Sequence, residues 1–328
     1  IYVFYALAFV MGIGASGNNL LPANTLITGW HVHKRRGTVL GLAATGAAVG
    51  GMIIGFIFPS IMKAGGFVGG ALAIGAMIFI CSTLTGIFLA KNPPRPGEEN
   101  ADDTVEATSK ADRKAAIKGF GFTVVLLAIA GFLFSLENAF NTVQAAVYTT
   151  FGIDLVTAGL MISFFSLCGI VAKPLLGFMH DKLGVKVLLS TLVVLYILGL
   201  PALALSMQLG LNLTFPILVI AAISLSVPTV ILPLLAVNAA GRERFPIIYG
   251  FMLTGSFAGT GIGVPLWGLV FDTTGSFALA MYGGGIGGLI GLGLAFYGLR
   301  RGMRYRQSMN ETITTGIVLE EGEVTPVH

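Results

Sequence analysis

Charge is scarce in this chain. Only 10% of its 328 residues are Asp, Glu, Lys or Arg, against about 25% in soluble domains, so a surface built for water is excluded. Reactive side chains are scarce too, with four His and two Cys. Cys81 and Cys168 both fall inside apolar runs, where they read as small apolar residues rather than a disulfide or metal pair. The apolar runs hold one acid and no histidine, which argues against the clustered acid–base or nucleophile–base groups of a membrane enzyme. No enzyme activity is expected.

What the chain has instead is apolar length. Hydrophobic residues make up 55% of it, and the mean hydropathy is +0.88. A membrane helix needs ~20 mostly apolar residues. Nine stretches qualify: 1–29, 37–62, 67–90, 120–148, 155–179, 185–208, 214–240, 246–271 and 277–298. An all-α integral membrane protein in contact with the lipid bilayer follows. Of the 19 Lys and Arg, Lys63 alone lies in loops on one side and Lys173 lies within a span; the remaining 17 share the other side. The positive-inside rule makes that rich side cytoplasmic. The net charge of +4 therefore reports topology, and no nucleic-acid partner is expected.

The polar stretch 91–118, rich in Pro, Glu, Asp and Lys, reads as a cytoplasmic linker. It divides a partial bundle at 1–90 from a six-helix bundle at 119–299, with a cytoplasmic tail at 300–328. Gly41, Gly46 and Gly50 are spaced five and four apart, and Gly250, Gly255 and Gly259 repeat that spacing 209 residues later. Each set follows a basic loop, and each helix ends in a similar corner, KAGGF at 63–67 and TTGSF at 273–277. Internal repeats of this kind mark secondary transporters. Projecting the second bundle back by the same offset places roughly ninety further residues and three helices ahead of Ile1, so about twelve helices are expected in the intact protein. Gly283, Gly285 and Gly288 match a dinucleotide fingerprint in spacing, but no strand precedes them. His31 and His33 have no third ligand nearby. No cofactor and no metal is expected.

The loop GFMHDKLGVK at 177–186 resembles the G-x-x-x-D-[RK]-x-G-[RK]-[RK] loop of the major facilitator superfamily. It matches at Gly177, Asp181, Lys182, Gly184 and Lys186 and departs at Val185. Lys34, Arg35, Arg36, Gly41, Leu42, Ala43 and Gly46 resemble the fourth-to-fifth helix junction of monocarboxylate transporters and of the oxalate/formate antiporter group. The stretch 249–277 is similar to the eleventh helix and corner of their bacterial members. The resemblance implies the major facilitator fold of two bundles, with the nine spans as helices four to twelve. It implies a monomeric secondary active transporter in the plasma or inner membrane, moving a small organic anion, a monocarboxylate, by alternating access. Proton symport and anion exchange are both open. A carrier of another solute or a drug is the alternative within the fold, although the Gly-Pro pair typical of drug antiporters is absent at 50–52. A non-transporting fragment or sensor is the remote one.

Two ionisable side chains fall well inside spans, Glu137 and Lys173, and each is costly against lipid. Lys173 stands where the resemblance places the helix-eight arginine that meets a substrate carboxylate; lysine keeps the charge without the planar fork. The helix-eleven lysine of oxalate transporters is replaced here by Ser256, and the acid of animal monocarboxylate transporters by Gly169. One cation rather than two favours a monoanion. A lysine reaching toward the cytoplasmic surface near Met179 is the competing reading. Glu137 shares a helical face with Asn141, Gln144 and Tyr148 at steps of four, three and four. That stripe is expected to line the cavity, with Glu137 either coupling protons or holding a gate. Ser166, Asn141, Gln144 and Asn19, with Asn18 and Asn24 nearby, complete the expected substrate site, and polar glue between helices is the bland alternative. Gly177, Asp181, Lys182 and Gly184 form the expected conformational-switch loop, Asp181 latching the inward-closed state. Gly41, Gly46, Gly50, Gly250, Gly255 and Gly259 are expected to form smooth strips across the bundle interface.

Overall fold

The computed structural model describes residues 9–10, 20–30, 35–89, 121–210, 213–241 and 244–322. Residues 20, 29–30, 51–65, 67, 89, 155–156 and 309–322 are described as backbone only. The long elements are all helices: α1 (Leu20–Trp30), α2 (Arg36–Leu84, ending in a π turn at Thr85–Leu89), α3 (Gly121–Asn138), α4 (Phe140–Thr150) and α5 (Leu155–Leu198). There follow α6 (Leu200–Gln208), α7 (Thr214–Leu225), α8 (Val227–Ala240), α9 (Phe245–Thr274) and α10 (Ala278–Gly322). The linker expected at 91–118 lies outside the described residues.

Two of these helices are each a pair of arms. Gly66 in α2 has φ 64 and ψ −170, and Gly184 in α5 has φ 78 and ψ 165. Only glycine adopts such angles cheaply, so the chain turns at the KAGGF corner and at the DKLG loop. Six stretches of the described residues are long and apolar enough to cross a membrane: Val68–Phe88, Gly121–Thr150, Thr157–Gln208, Thr214–Ala240, Phe245–Thr274 and Ala278–Ser308. The third is 52 residues long, or ~78 Å of helix, far more than ~30 Å of hydrocarbon, and Gly184 divides it. Most of the first expected span lies outside the described residues.

The outer face of α5 fits lipid. Leu160, Leu167, Val171, Leu175 and Phe178 recur at helical spacing and are all exposed; on a soluble protein that face would be polar. Inside, α3 is packed between α9 and α10. A Cβ on Gly255 would lie 2.3 Å from the Ala128 carbonyl oxygen, and one on Gly259 2.2 Å from that of Phe132. Helices in lipid gain little from hydrophobic burial against one another, so close backbone approach through small residues supplies the contact.

Two further breaks lie within expected spans. α3 gives way to α4 at Ala139, where the Thr142 N–H bonds the Ala139 carbonyl at 2.9 Å, a tight turn that shifts the helical phase. α7 gives way to α8 at Ser226. Pro228 has no N–H to donate to the Ser224 carbonyl, and the Ser224 and Ser226 hydroxyls bond back to the Ala221 and Ala222 carbonyls. The Asn138 amide donates to the Leu225 carbonyl at 3.1 Å, tying one break to the other.

Candidate functional site

The start of α2 lies against the end of α5's first arm. A Cβ on Gly37 would sit 2.4 Å from the Gly177 carbonyl oxygen, and one on Gly177 2.0 Å from that of Gly37. Four residues on, a Cβ on Gly41 would lie 2.4 Å from the Lys173 carbonyl oxygen. Asp181 closes this crossing. Its Oδ1 accepts from the Gly37 N–H at 2.7 Å, and its Oδ2 accepts from the Thr38 N–H and hydroxyl, each at 2.8 Å. The carboxylate thus caps the first turn of α2, where free N–H groups and the helix dipole favour negative charge. Burial pushes the Asp181 carboxyl up, but hydrogen bonds from Thr38, Gly37 and His180 outweigh it and hold it below its ordinary range.

His180 extends this cluster to α8. Its Nδ1 lies 3.2 Å from Asp181 Oδ1, and its Nε2 lies 3.2 Å from Asn238 Nδ2. The same Asn238 amide nitrogen donates to the Leu234 carbonyl at 2.7 Å, which fixes it as the donor to Nε2. Nδ1 then carries the proton and donates to Asp181. Gly241, just after α8, packs against the Arg306 guanidinium. Among the described residues, the start of α2, the loop after the first arm of α5, the end of α8 and the cationic part of α10 are therefore gathered at one end. Lys182 lies 4.7 Å over the Phe178 ring. Gly184 is exposed and serves as the break rather than as a contact.

The other expected residues fall in separate places. Lys173 is half-buried, and its ammonium donates to the Ala44 carbonyl of α2 at 3.3 Å. Ala44 lies beyond Gly41 along α2, so the side chain reaches away from the latched end, not toward Met179 and the surface. The Ser166 hydroxyl bonds back to the Ile162 carbonyl on the exposed side of α5. Asn19 and Asn18 lie outside the described residues, while the Asn24 amide donates to the Tyr249 hydroxyl at 2.8 Å and joins α1 to α9. The Ser256 hydroxyl bonds that of Ser135, joining α9 to α3.

The expected stripe on helix seven divides. Asn138, Asn141 and Gln144 form a ladder of amides, the Asn141 amide donating to Asn138 and the Gln144 amide donating to Asn141 at 3.1 Å. Asn141 is exposed, whereas Glu137 is completely buried on the far side of the helix against Gly284 and Gly288 of α10. Neither Glu137 oxygen has a hydrogen-bond partner among the described residues, nor do the Tyr148 and Tyr196 hydroxyls. The phase shift at Ala139 separates residues that ideal helical geometry would align. Gly46 and Gly50 have nothing within 4 Å of a would-be Cβ among the described residues, and Gly250 has only Leu21 at 4.0 Å. Gly255 and Gly259 face α3. Gly37, Asn138, His180 and Asn238 were not singled out in sequence; the three-residue spacing of 138, 141 and 144 was the available signal for the first amide.

The model of the Major Facilitator Superfamily matches residues 1–144 and 125–321. The chain belongs to this superfamily. It is 25% identical over 293 residues to the riboflavin transporter MCH5 of Saccharomyces cerevisiae, an overlap that covers 83% of this chain and 54% of that protein. The chain thus spans about half the length of that curated relative. Its fold is similar to a crystal structure of the E. coli fucose:proton symporter FucP, with TM-score 0.57 and 15% identity over 84% of this chain and 72% of that one. A structure of FucP in the outward conformation matches with TM-score 0.57 and 16% identity, covering 84% and 71%.

As a member of this superfamily with several helices long and apolar enough to cross a membrane, the chain is an integral multi-pass membrane protein. In this facilitator the α2–α5 crossing combines three close glycines, a capping carboxylate and a cation held by a neutral carbonyl. The first four groups can hold the two helices together. The fifth offers positive charge at the same junction.

Proposed function

We propose that this facilitator moves a small organic anion, a monocarboxylate, by alternating access, as proton symport or anion exchange. The observation that carries the reading is Lys173, whose described partner is a single backbone carbonyl at 3.3 Å. A carboxylate brings the opposite charge that the carbonyl lacks and bonds an ammonium at a shorter distance, ~2.8 Å, and so displaces that carbonyl. Lys173 is the one cation well inside the spans expected from this sequence, which suits a monoanion. The cation-rich end is cytoplasmic on the positive-inside rule, so the Asp181 clasp closes the cytoplasmic side, and its release opens it. Gly37, Gly41 and Gly177 let α2 and α5 meet closely in one state and part in the other.

The test is uptake of labelled lactate, pyruvate or formate by the full-length protein in liposomes. Lys173→Ala is expected to lower uptake by about a hundredfold, the loss of one charge-assisted contact of ~3 kcal/mol, and Lys173→Arg to retain most of it. Uptake unchanged in Lys173→Ala refutes the role. A second reading, carriage of a neutral heterocycle, is favoured by the Asn138–Asn141–Gln144 amide ladder and by the riboflavin transporter among the relatives. Labelled riboflavin in the same liposomes separates the two.

A further inference from the structure

Glu137 and Asn138 are neighbours in sequence and face opposite ways. Asn138 points to the α7–α8 break, where it donates to the Leu225 carbonyl, and it starts the amide ladder that passes through the exposed Asn141 to Gln144. Glu137 points into a pocket closed by Tyr196 from the second arm of α5, Leu200 of α6, and Gly284 and Gly288 of α10. A Cβ on Gly288 would lie 2.1 Å from the Tyr196 ring and 3.0 Å from Glu137 Oε2, and one on Gly284 3.3 Å from Glu137 Cγ. Glycine at both positions is what makes room for the acid.

Beside the pocket, α9 brings Gly263 and Trp267 against Leu136 and Ala139, neither of them ionisable. Among the described residues, the titratable group facing Glu137 is Tyr196, and its hydroxyl is likewise buried without a partner. A carboxylate enclosed this way, with no donor and no cation, costs several kcal/mol, and the group avoids that cost by holding a proton.

We propose that Glu137 is a proton-carrying site set behind α3, separate from the solute path. Loading adds one proton to the carboxylate to give the neutral acid; unloading returns that proton to water admitted when the α3–α4 break at Ala139 moves. Solute and proton then act on the same hinge from opposite faces, the solute through the amide ladder and the proton through the residue next to it. The coupling part of this inference rests on the transport reading above; the protonation part does not.

The experiment is infrared spectroscopy of the full-length protein in lipid nanodiscs at neutral pH, with and without glutamate labelled at the carboxyl carbon. The expected result is a neutral-acid carbonyl band that moves on glutamate labelling and disappears in Glu137→Gln. In liposomes, lactate accumulation driven by a pH gradient is expected to fall at least about tenfold in the same variant, the equivalent of ~1.4 kcal/mol. A wild-type spectrum with no labelled neutral-acid band overturns the proposal, and needs no variant to fold. A band that persists unchanged in Glu137→Gln overturns it as well. The band without any lactate uptake supports the proton site while refuting the monocarboxylate reading, and uptake without the band does the reverse.

Discussion

Replacing Asp181 by Asn removes the charge from the clasp while leaving its shape. The carboxylate accepts from the Gly37 N–H, the Thr38 N–H, the Thr38 hydroxyl and His180. An amide keeps one acceptor oxygen and turns its NH2 toward donors on the other side, so about two of these bonds are lost. Hydrogen bonds to a charged group contribute roughly 1.5–3 kcal/mol each. The side chain is 14% exposed, so the low end applies, giving ~3 kcal/mol against the closed crossing and a roughly hundredfold shift toward the open one. The measurement is the distance between spin labels at Arg35→Cys and Lys182→Cys, which flank the clasp on exposed positions, in a background free of other cysteines. The Asn variant is expected to move most of the distribution to longer distances. An unchanged distribution in a variant with native helix content refutes the argument that these bonds set closure.

Further outcomes follow from the same geometry. Gly41→Ala drives a methyl to 2.4 Å from the Lys173 carbonyl oxygen, a backbone clash expected to cost about 1–3 kcal/mol and to open the same spin pair. Gly46→Ala meets nothing within 4 Å among the described residues and is expected to change stability by less than about 0.5 kcal/mol. Because the Asp181 carboxyl is held below its ordinary value in the closed form, its contribution to closure is fully present above ~3.9. It is lost as pH falls through the depressed value, so the clasp should open in acid, and the effect should vanish in Asp181→Asn. Asn138→Ala removes the bond between the two helix breaks and is expected to lower the thermal midpoint by the equivalent of ~1 kcal/mol.

Much of the architecture was legible one residue at a time. Stretches of apolar sequence longer than twenty residues, nearly free of charge, have few explanations outside a bilayer, and the GFMHDKLGVK loop carried the superfamily. The corners at Gly66 and Gly184 were legible because only glycine tolerates their angles. The α7–α8 break falls at Pro228, a residue with no N–H to donate. The polar stripe on helix seven was legible only as a list. Ideal periodicity aligned Glu137 with Asn141, and the tight turn at Ala139 undid that alignment.

The sequence by itself determined the solvent, the helical class and the superfamily, since these depend on composition and local backbone preference. Tertiary structure decided what each polar or small residue meets. Among the described residues Gly41 meets a neighbouring backbone and Gly46 does not, although their local sequences are alike. Lys173 reaches inward to Ala44, and Glu137 turns away from the amides beside it. The physical reason is that contact depends on where a second helix crosses and on helical phase after each break, and neither quantity is written in any one stretch of the chain.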